Sequence, residues 1–396
     1  MGSCSTPSEK CLLFSLTAAL LALSLAANGQ ATKTAANFAN LSTAAQKARD
    51  ADHLDEAARL YRQALALKPD WAEGWWSLGT LDYDRDRYRE AAESFRKLAG
   101  LQPNSGMAHV MLGLCQFELG QDDAALQALK EGSRLGLSPD PQLRTVVLFH
   151  EGVLLQRKGR FESAEETLGQ LCRQSPYPPE VDPAMGAIAL RVRNPQLPAE
   201  GTADHQVMQA AGKATCLGLQ RKYEEAGREF NALLAAHPNY PGLHSAYGKV
   251  LLEANDTDAA VTQFQAELAN YPKDANAMLR IASAKYRIDS AGGLPYAEQA
   301  VKLDPGLPLG HYLLGLLLLD TDDYQRAIPE LEIARDAFPD QPKVYFALAS
   351  AYSRAGRKED ADRARQKFLQ LNQQQESNPS AAEATAPVSP TTNPPR

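Results

Sequence analysis

The chain has 396 residues, of which 22% are charged, and its formal net charge is −7. This length exceeds the usual size of one compact core, so we expect several domains or a repeat array. The acidic balance argues against a nucleic-acid-binding protein, which usually carries a basic stripe.

The N-terminus carries an uncharged apolar segment, residues 11–27, with Lys10 before it and small residues after it. The segment is short for a membrane span and typical of a signal peptide, so residues 1–29 are predicted to direct export to the periplasm or the medium. Two alternatives stay open, namely an uncleaved inner-membrane anchor and acylation at Gly2 or Cys4.

An internal repeat follows. The repeat is marked by triplets in which a small residue is followed after twelve positions by a second small residue and after twelve more by a proline. There are six such triplets: Ala45, Ala57, Pro69; Gly79, Ala91, Pro103; Gly152, Ala164, Pro176; Ala214, Ala226, Pro238; Gly248, Ala260, Pro272; and Gly315, Ala327, Pro339. The later prolines, including Pro305, are 33 or 34 residues apart, which predicts a repeat of about that length.

Each repeat is predicted to be a helical hairpin. In residues 72–101, apolar side chains recur at helical spacing on both sides of a charged turn, and Pro103 ends the second run. The small residues Gly79 and Ala91 allow the two helix backbones to approach each other, while Trp75 and Phe95 fill the space around them.

The segments WWSLG, EAAESF and LQP of this copy resemble the tetratricopeptide repeat pattern W-x2-L-G-x2-Y, A-x3-F and P, although Asp82 stands where the family has tyrosine. The resemblance implies an all-α protein, an α-solenoid of about nine helical hairpins. Repeats 1–4 are assigned to residues 37–176 and repeats 5–9 to residues 207–371.

Two segments do not fit the repeat. Residues 177–206 hold five prolines and are predicted to be a loop-rich insertion with a short helix near 184–192. We expect a solvent-exposed excursion there, with a hinge or a lid over a groove as the alternative. Residues 372–396 have no aromatic residue and are predicted to be disordered.

Cys115, Cys172 and Cys216 would remain after signal cleavage, and all three lie in predicted helices. We expect these cysteines to pack as small apolar core residues, and a disulfide or a reactive thiol is the alternative.

No catalytic or metal-binding motif occurs in the sequence, so we expect no enzyme activity, no metal and no cofactor. His244 and His311 share one repeat position and are predicted to pack between helices. A subunit of an envelope enzyme is kept as a minor alternative.

In the resembled family, the first helix of each hairpin lines a concave groove that holds a protein or peptide. The groove positions selected here are mostly aromatic, which favours apolar side chains of a partner. They are Trp76, Tyr83, Val110, Phe117, Phe149, Tyr286, Tyr312 and Phe346. Trp75 is predicted to be core, and part of the aromatic stripe could equally be core between repeats.

The sequence therefore predicts a protein–protein interaction scaffold in a bacterial cell envelope. A membrane-anchored assembly factor is the alternative, with the N-terminal segment as its contact with the membrane.

Overall fold

The computed structural model describes residues 33–137, 141–174, 176–193 and 198–377. The predicted signal peptide and most of the predicted tail lie outside these residues. The described residues form nineteen helices and no strand, which confirms the all-α prediction. The chain divides into two compact units, residues 1–154 and 155–396, and each is described by itself.

The first unit contains the helices α1 (33–50), α2 (Leu54–Leu67), α3 (Ala72–Tyr83), α4 (Tyr88–Leu101), α5 (Gly106–Glu118) and α6 (Asp122–Leu135). Helix α7 (Pro141–Arg157) crosses the boundary between the units. The second unit contains α8 (Phe161–Cys172), α9 (Val181–Ala189), α10 (Ala203–Leu219), α11 (Tyr223–Ala236), α12 (Leu243–Glu253), α13 (Thr257–Asn270), α14 (Ala275–Lys285), α15 (Ser290–Leu303), α16 (Pro308–Asp320), α17 (Tyr324–Ala337), α18 (Pro342–Arg354) and α19 (Lys358–Ser377).

Nine hairpins account for all of these helices except α9, so the predicted solenoid of about nine hairpins is confirmed. None of the described helices is both long and apolar enough to cross a membrane. Helix α19 continues to Ser377, so the prediction of disorder from residue 372 is wrong for its first residues. The segment after Leu371 is rich in glutamine, which has a good helix propensity and extends the last helix.

Four of the hairpins are closed by a contact between residues sixteen positions apart. The side chains of Phe95, Leu129, Phe264 and Leu331 lie against Gly79, Gly113, Gly248 and Gly315 of the preceding helix. A β-carbon at any of these glycines would come within 2.6–2.9 Å of that side chain. The four second-helix side chains are completely buried.

A second recurring contact fixes the start of five of the first helices. The residue at the tryptophan position of the repeat lies within hydrogen-bond distance of the carbonyl oxygen of the proline six residues earlier. The pairs are Trp75–Pro69 at 2.8 Å, His109–Pro103 at 3.2 Å, His244–Pro238 at 3.1 Å, His311–Pro305 at 3.0 Å and Tyr345–Pro339 at 2.9 Å.

The histidines at this position pack between helices, as predicted. The other ring nitrogen of His244 lies 2.7 Å from Gln263 Oε1, and that of His311 lies 2.5 Å from Glu330 Oε2. His311 is buried. Within the described residues, no group of three or more His, Cys, Asp or Glu side chains is arranged to hold a metal ion.

The helical part of the predicted insertion is not solvent-exposed, so that prediction is wrong for residues 181–190, whereas residues 199–204 are exposed. Its helix α9 is buried along most of its length and packs mainly on α10. The helix also starts and ends three residues earlier than predicted. Its contact with α10 depends on glycine: a β-carbon on Gly186 would lie 1.8 Å from the carbonyl oxygen of Met208. The prolines that indicated a loop instead flank and begin a core helix.

Helix α9 ends in the way that the first helices of hairpins end. Arg191 has a φ of 54°, a left-handed conformation that Asp86 (57°) and Asn255 (62°) also adopt just before a second helix begins. Among the described residues between Arg191 and α10, which are 192–193 and 198–202, no second helix forms. Helix α9 is therefore built like the first helix of a hairpin, but α10 packs on it in place of a second helix.

The cysteine prediction is correct for one residue and wrong for two. Cys115 is free and buried. Cys172 of α8 and Cys216 of α10 form a disulfide with a Cα–Cα distance of 5.0 Å. Their sequence separation of 44 spans the unexpected packing of α9, so no local pattern could bring them together.

The glycine contact between α9 and α10 provides a test of this packing. A β-carbon on Gly212 would lie 1.7 Å from the carbonyl oxygen of Asp182, and a backbone atom cannot move aside as a side chain can. We expect Gly212→Ala to lower the free energy of unfolding by at least about 1–3 kcal/mol, as overpacking does.

Gly100→Ala is the matched control, because no heavy atom of another residue lies within 4 Å of the position that its β-carbon would occupy, near the end of α4. It should raise the free energy of unfolding by roughly 0.5–1 kcal/mol, since alanine is the better helix former. Urea denaturation followed by circular dichroism measures both, and equal effects would refute the close crossing.

Candidate functional site

The predicted groove residues of the first unit are only partly available to a partner. Trp76 is half-buried with its ring centroid 5.7 Å from that of Phe95, and Tyr83 is half-buried with its centroid 5.4 Å from that of Tyr88. Burial raises the pKa of Tyr83. Much of the surface of these rings is therefore already covered by their own hairpin.

Val110 does not line an open surface, so its prediction as a groove residue is wrong. Its side chain is completely buried, and a β-carbon on Gly132 of α6 would lie 2.6 Å from it. The close approach of Gly106 to the carbonyl oxygens of Gly132 and Gly136 turns this part of α5 toward α6. A sequence period cannot separate such neighbouring directions on a helix.

Phe117 and Phe149 are half-buried around one histidine. The ring centroid of His150 lies 4.6 Å from that of Phe117 and 5.6 Å from that of Phe149. The three rings meet edge to face, an arrangement that stabilises aromatic pairs. These positions lie together, and their role in partner binding stays a prediction.

In the second unit, the predicted positions differ in exposure. Tyr286 directly follows α14 and has the Arg287 guanidinium 5.3 Å above its ring. Tyr312 is half-buried, and burial raises its pKa to about 12. Phe346 is 62% exposed and has its ring 5.5 Å from that of Phe368 on α19. Phe346 is thus the predicted residue that a partner could reach most easily.

A polar groove in the second unit was missed at the sequence level. Helices α8, α9, α10, α12 and α14 enclose it, and we call it the central groove. Six of its lining side chains are charged: Glu162, Glu165, Arg191, Lys249, Glu253 and Arg280.

Glu162 connects two guanidinium groups at the centre of this network. Its carboxylate oxygen lies 2.7 Å from Arg191 Nη1 and 3.8 Å from Arg280 Nη2. Burial acts to raise the pKa of Glu162, but the charge of Arg191 and its hydrogen bond outweigh burial and leave that pKa below its ordinary value. Burial lowers the pKa of Arg280. The side chains of Arg191 and Arg280 are still 30% and 28% exposed, so a ligand can reach them.

The remaining charges of the central groove are unevenly paired. Lys249 forms an ion pair with Glu165. Glu253 has no oppositely charged group within ion-pair distance among the described residues, and burial raises its pKa. The side-chain amide of Asn276, also in the lining, has no hydrogen-bond partner in the same part of the chain. The groove thus presents polar groups that the protein itself does not satisfy.

A wider cleft of about 630 Å³ opens beside the central groove, and we call it the side cleft. It lies between the end of α9, the start of α12 and the loop that joins α13 to α14. The central groove and the side cleft form one continuous surface, because both are lined by Phe161, Arg191, Ser245 and Asn276. The Arg191 guanidinium stacks 4.8 Å above the Phe161 ring, which fixes the wall between them.

Sequence reasoning could indicate only part of this site. Ser245 follows His244 directly, and that register position is one that the family uses for its groove. Arg191 lies in the segment that was predicted to be an insertion, so its place in the wall required the structure. Glu162 and Arg280 are too far apart in sequence for any spacing to relate them.

A family model described as tetratricopeptide repeat matches residues 77–134, 212–275, 246–308, 283–342 and 312–376. The matches cover more than half of the chain, and the chain belongs to the tetratricopeptide repeat family. Members of this family are protein–protein interaction scaffolds and are typically not enzymes.

Two curated relatives share the repeats with this chain. Protein CTR9 homolog of Arabidopsis thaliana is 25% identical over 285 residues, which are 70% of this chain and 24% of the relative. Human protein O-mannosyl-transferase TMTC3 is 27% identical over 135 residues, which are 34% of this chain and 14% of the relative. The chain thus spans less than a quarter of the length of each.

Among solved structures, the crystal structure of MamA is 20% identical and has a TM-score of 0.38, with 41% of this chain and 97% of MamA covered. A score at this level supports no conclusion about function.

The two neighbouring tryptophans of α3 test the division between core and surface. Trp75 packs against two hydrophobic clusters of described residues and donates its Nε1 hydrogen to the Pro69 carbonyl oxygen, whereas Trp76 packs against the second of these clusters. We expect Trp75→Ala to cost roughly 3 kcal/mol, the lower end for a large aromatic residue, because Trp75 is not fully buried. Trp76→Ala should cost clearly less. Hydrogen exchange of α3 and α4 measures both, and equal losses of protection would contradict the division.

Proposed function

We propose that this scaffold holds an extended segment of a partner protein in the central groove and side cleft of its second unit. The observation that carries the proposal is the set of unsatisfied polar groups there, above all the Asn276 amide and the partly exposed guanidinium of Arg280. Both side chains are half-buried, and polar groups that line a concave surface and are still accessible can bind a ligand.

A peptide suits these groups for a geometric reason. An asparagine amide offers a donor and an acceptor side by side, which matches the N–H and C=O of a peptide backbone. Asn276 lies in the first turn of α14, where Asp274 already accepts hydrogen bonds from the backbone N–H groups of Asn276 and Ala277 at 2.9 and 3.1 Å. The helix start is therefore capped without the Asn276 side chain, which stays free for a partner.

The proposal includes export to an oxidising compartment such as a bacterial periplasm. The apolar segment at residues 11–27 supports it, and so does the Cys172–Cys216 disulfide, because disulfides persist mainly outside the reducing cytosol. A membrane-anchored assembly factor, with the same repeats and an uncleaved N-terminal segment, is the second candidate.

Asn276→Ala tests the binding function. The substitution should leave the free energy of unfolding unchanged or slightly higher, since alanine has the better helix propensity and no intramolecular hydrogen bond is lost. It should weaken the binding of the partner by about 0.5–1.5 kcal/mol, the net contribution of one hydrogen bond.

The partner is first identified with a photo-crosslinking residue at position 276, followed by mass spectrometry of the crosslinked peptide. Asn231 of α11 is exposed, carries only a long 3.5 Å contact to Tyr247 Oη, and serves as the matched position for both the crosslinker and the alanine change. Crosslinks of equal yield at 231 and 276, or equal affinities of the two alanine variants, would refute the site.

Two measurements on protein from its native source test export. N-terminal sequencing should find a start close to Gln30 or Thr32; an intact Met1 or Gly2 would favour the anchor or acylation instead. Denatured protein without reductant should show one free thiol, that of Cys115, and three after reduction. Three thiols without reductant would remove the disulfide as support for an oxidising compartment.

A further inference from the structure

The side cleft differs from the rest of the protein in its charge. The chain has a net charge of −7, yet three cations, Arg191, Arg193 and Lys273, line this cleft. Arg193 and Lys273 are exposed, and neither has an ion-pair or hydrogen-bond partner within the ranges that the structure covers. The cleft therefore carries positive charge that the protein does not neutralise.

The two carboxylates of the same cleft are already used by the fold. Glu267 is almost completely buried and accepts hydrogen bonds from the backbone N–H groups of Gly242 and Ser245 at 2.8 and 3.2 Å, which caps the start of α12. Asp274 caps α14 in the same manner. Each carboxylate offsets the positive end of a helix dipole, so neither is free to neutralise Arg193 or Lys273.

The remaining lining of the cleft is largely apolar. Phe161, Leu190, Pro241, Tyr271 and Pro272 contribute to it. The volume of about 630 Å³ lies within the range of roughly 300–1,000 Å³ in which proteins bind ligands. An apolar lining with unneutralised cations fits an apolar side chain that is flanked by carboxylates.

We infer that the side cleft recognises an acidic peptide segment in which an aliphatic residue or proline is flanked by Asp or Glu. The inference rests on the proposed function and specifies the partner that it leaves open. The aliphatic residue or proline enters the apolar part of the cleft, and the flanking carboxylates pair with Arg193 and Lys273. The Asn276 amide holds the backbone between them.

A nucleic acid of similar charge does not match this surface. A polyanion gains affinity from many phosphate contacts along a basic stripe, whereas this cleft offers few cations and the chain as a whole is acidic. Specificity for a peptide comes instead from the combination of an apolar contact with a small number of placed charges.

A random twelve-residue peptide library displayed on phage and selected on the full chain provides the probe. We expect enrichment of Asp and Glu around Leu, Ile, Val or Pro. The affinity of a fluorescein-labelled selected peptide should fall as salt rises, since exposed charges are screened.

The decisive variant reverses both free cations, Arg193→Glu with Lys273→Glu. Its affinity for the acidic peptide should be at least tenfold lower than that of the parent protein. Its affinity for the same peptide with Lys in place of the acidic residues should be higher than that of the parent protein. The matched control is Arg228→Glu with Lys358→Glu, which changes the net charge equally at exposed cations of α11 and α19 that form no ion pair with any described residue. The control should bind the acidic peptide as the parent protein does.

The possible outcomes separate the inference from the proposed function. If Gln and Asn versions of the peptide bind as tightly as the acidic one, or if the control weakens binding equally, the inference is wrong. Equal competition by single-stranded DNA would also refute it. If the selected peptides still bind less tightly to Asn276→Ala than to the parent protein, the proposed function stands even where the inference fails. If they bind every variant with the same affinity, the inference and the proposed function both fail.

Discussion

The fold depends on one short-range constraint, which is the contact between a small residue on the first helix of a hairpin and the side chain sixteen positions later. Phe95 on Gly79 and Phe264 on Gly248 show why the constraint is strict, because the two backbones can approach only where one residue has almost no side chain. The contact is entirely local in sequence. Each hairpin can therefore form its closest packing before any neighbouring repeat is in place.

The central groove and side cleft exist because this regularity is interrupted once. Helix α9 has the end of a first helix, the described residues before α10 include no second helix, and α10 packs on α9 directly through Gly186 and Gly212. The chain after α9 then carries Arg191 to the wall of the groove, where a regular repeat would have placed its turn into the next helix. The site is in this sense a product of an incomplete repeat, and the Cys172–Cys216 disulfide bridges the two helices on either side of it.

The parts of this structure that sequence could predict are those that the local repeat determines. Hairpin number, helix faces and the packing of His311 follow from positions within one repeat. The burial of α9 was accessible in principle, since the run from Val181 to Ile188 is almost continuously apolar, but the surrounding prolines were given more weight. The Glu162–Arg280 pair was not accessible, because it joins residues on different repeats that no spacing relates. The direction of Val110 depended on a glycine contact with the next helix, which periodicity alone cannot specify.

The hydrogen bond from a tryptophan-position residue to a proline carbonyl, which five of the repeats form, has a consequence for how the protein can be rearranged. Its acceptor is a main-chain oxygen, so any side chain with a suitably placed donor serves, and Trp75, His244 and Tyr345 are chemically equivalent there. Repeats cut at these prolines should behave as exchangeable cassettes, in natural recombination or in design. The junction around α9 is the exception: its disulfide and its glycine crossing bind it to its own neighbours, so it has to be transferred as a single block.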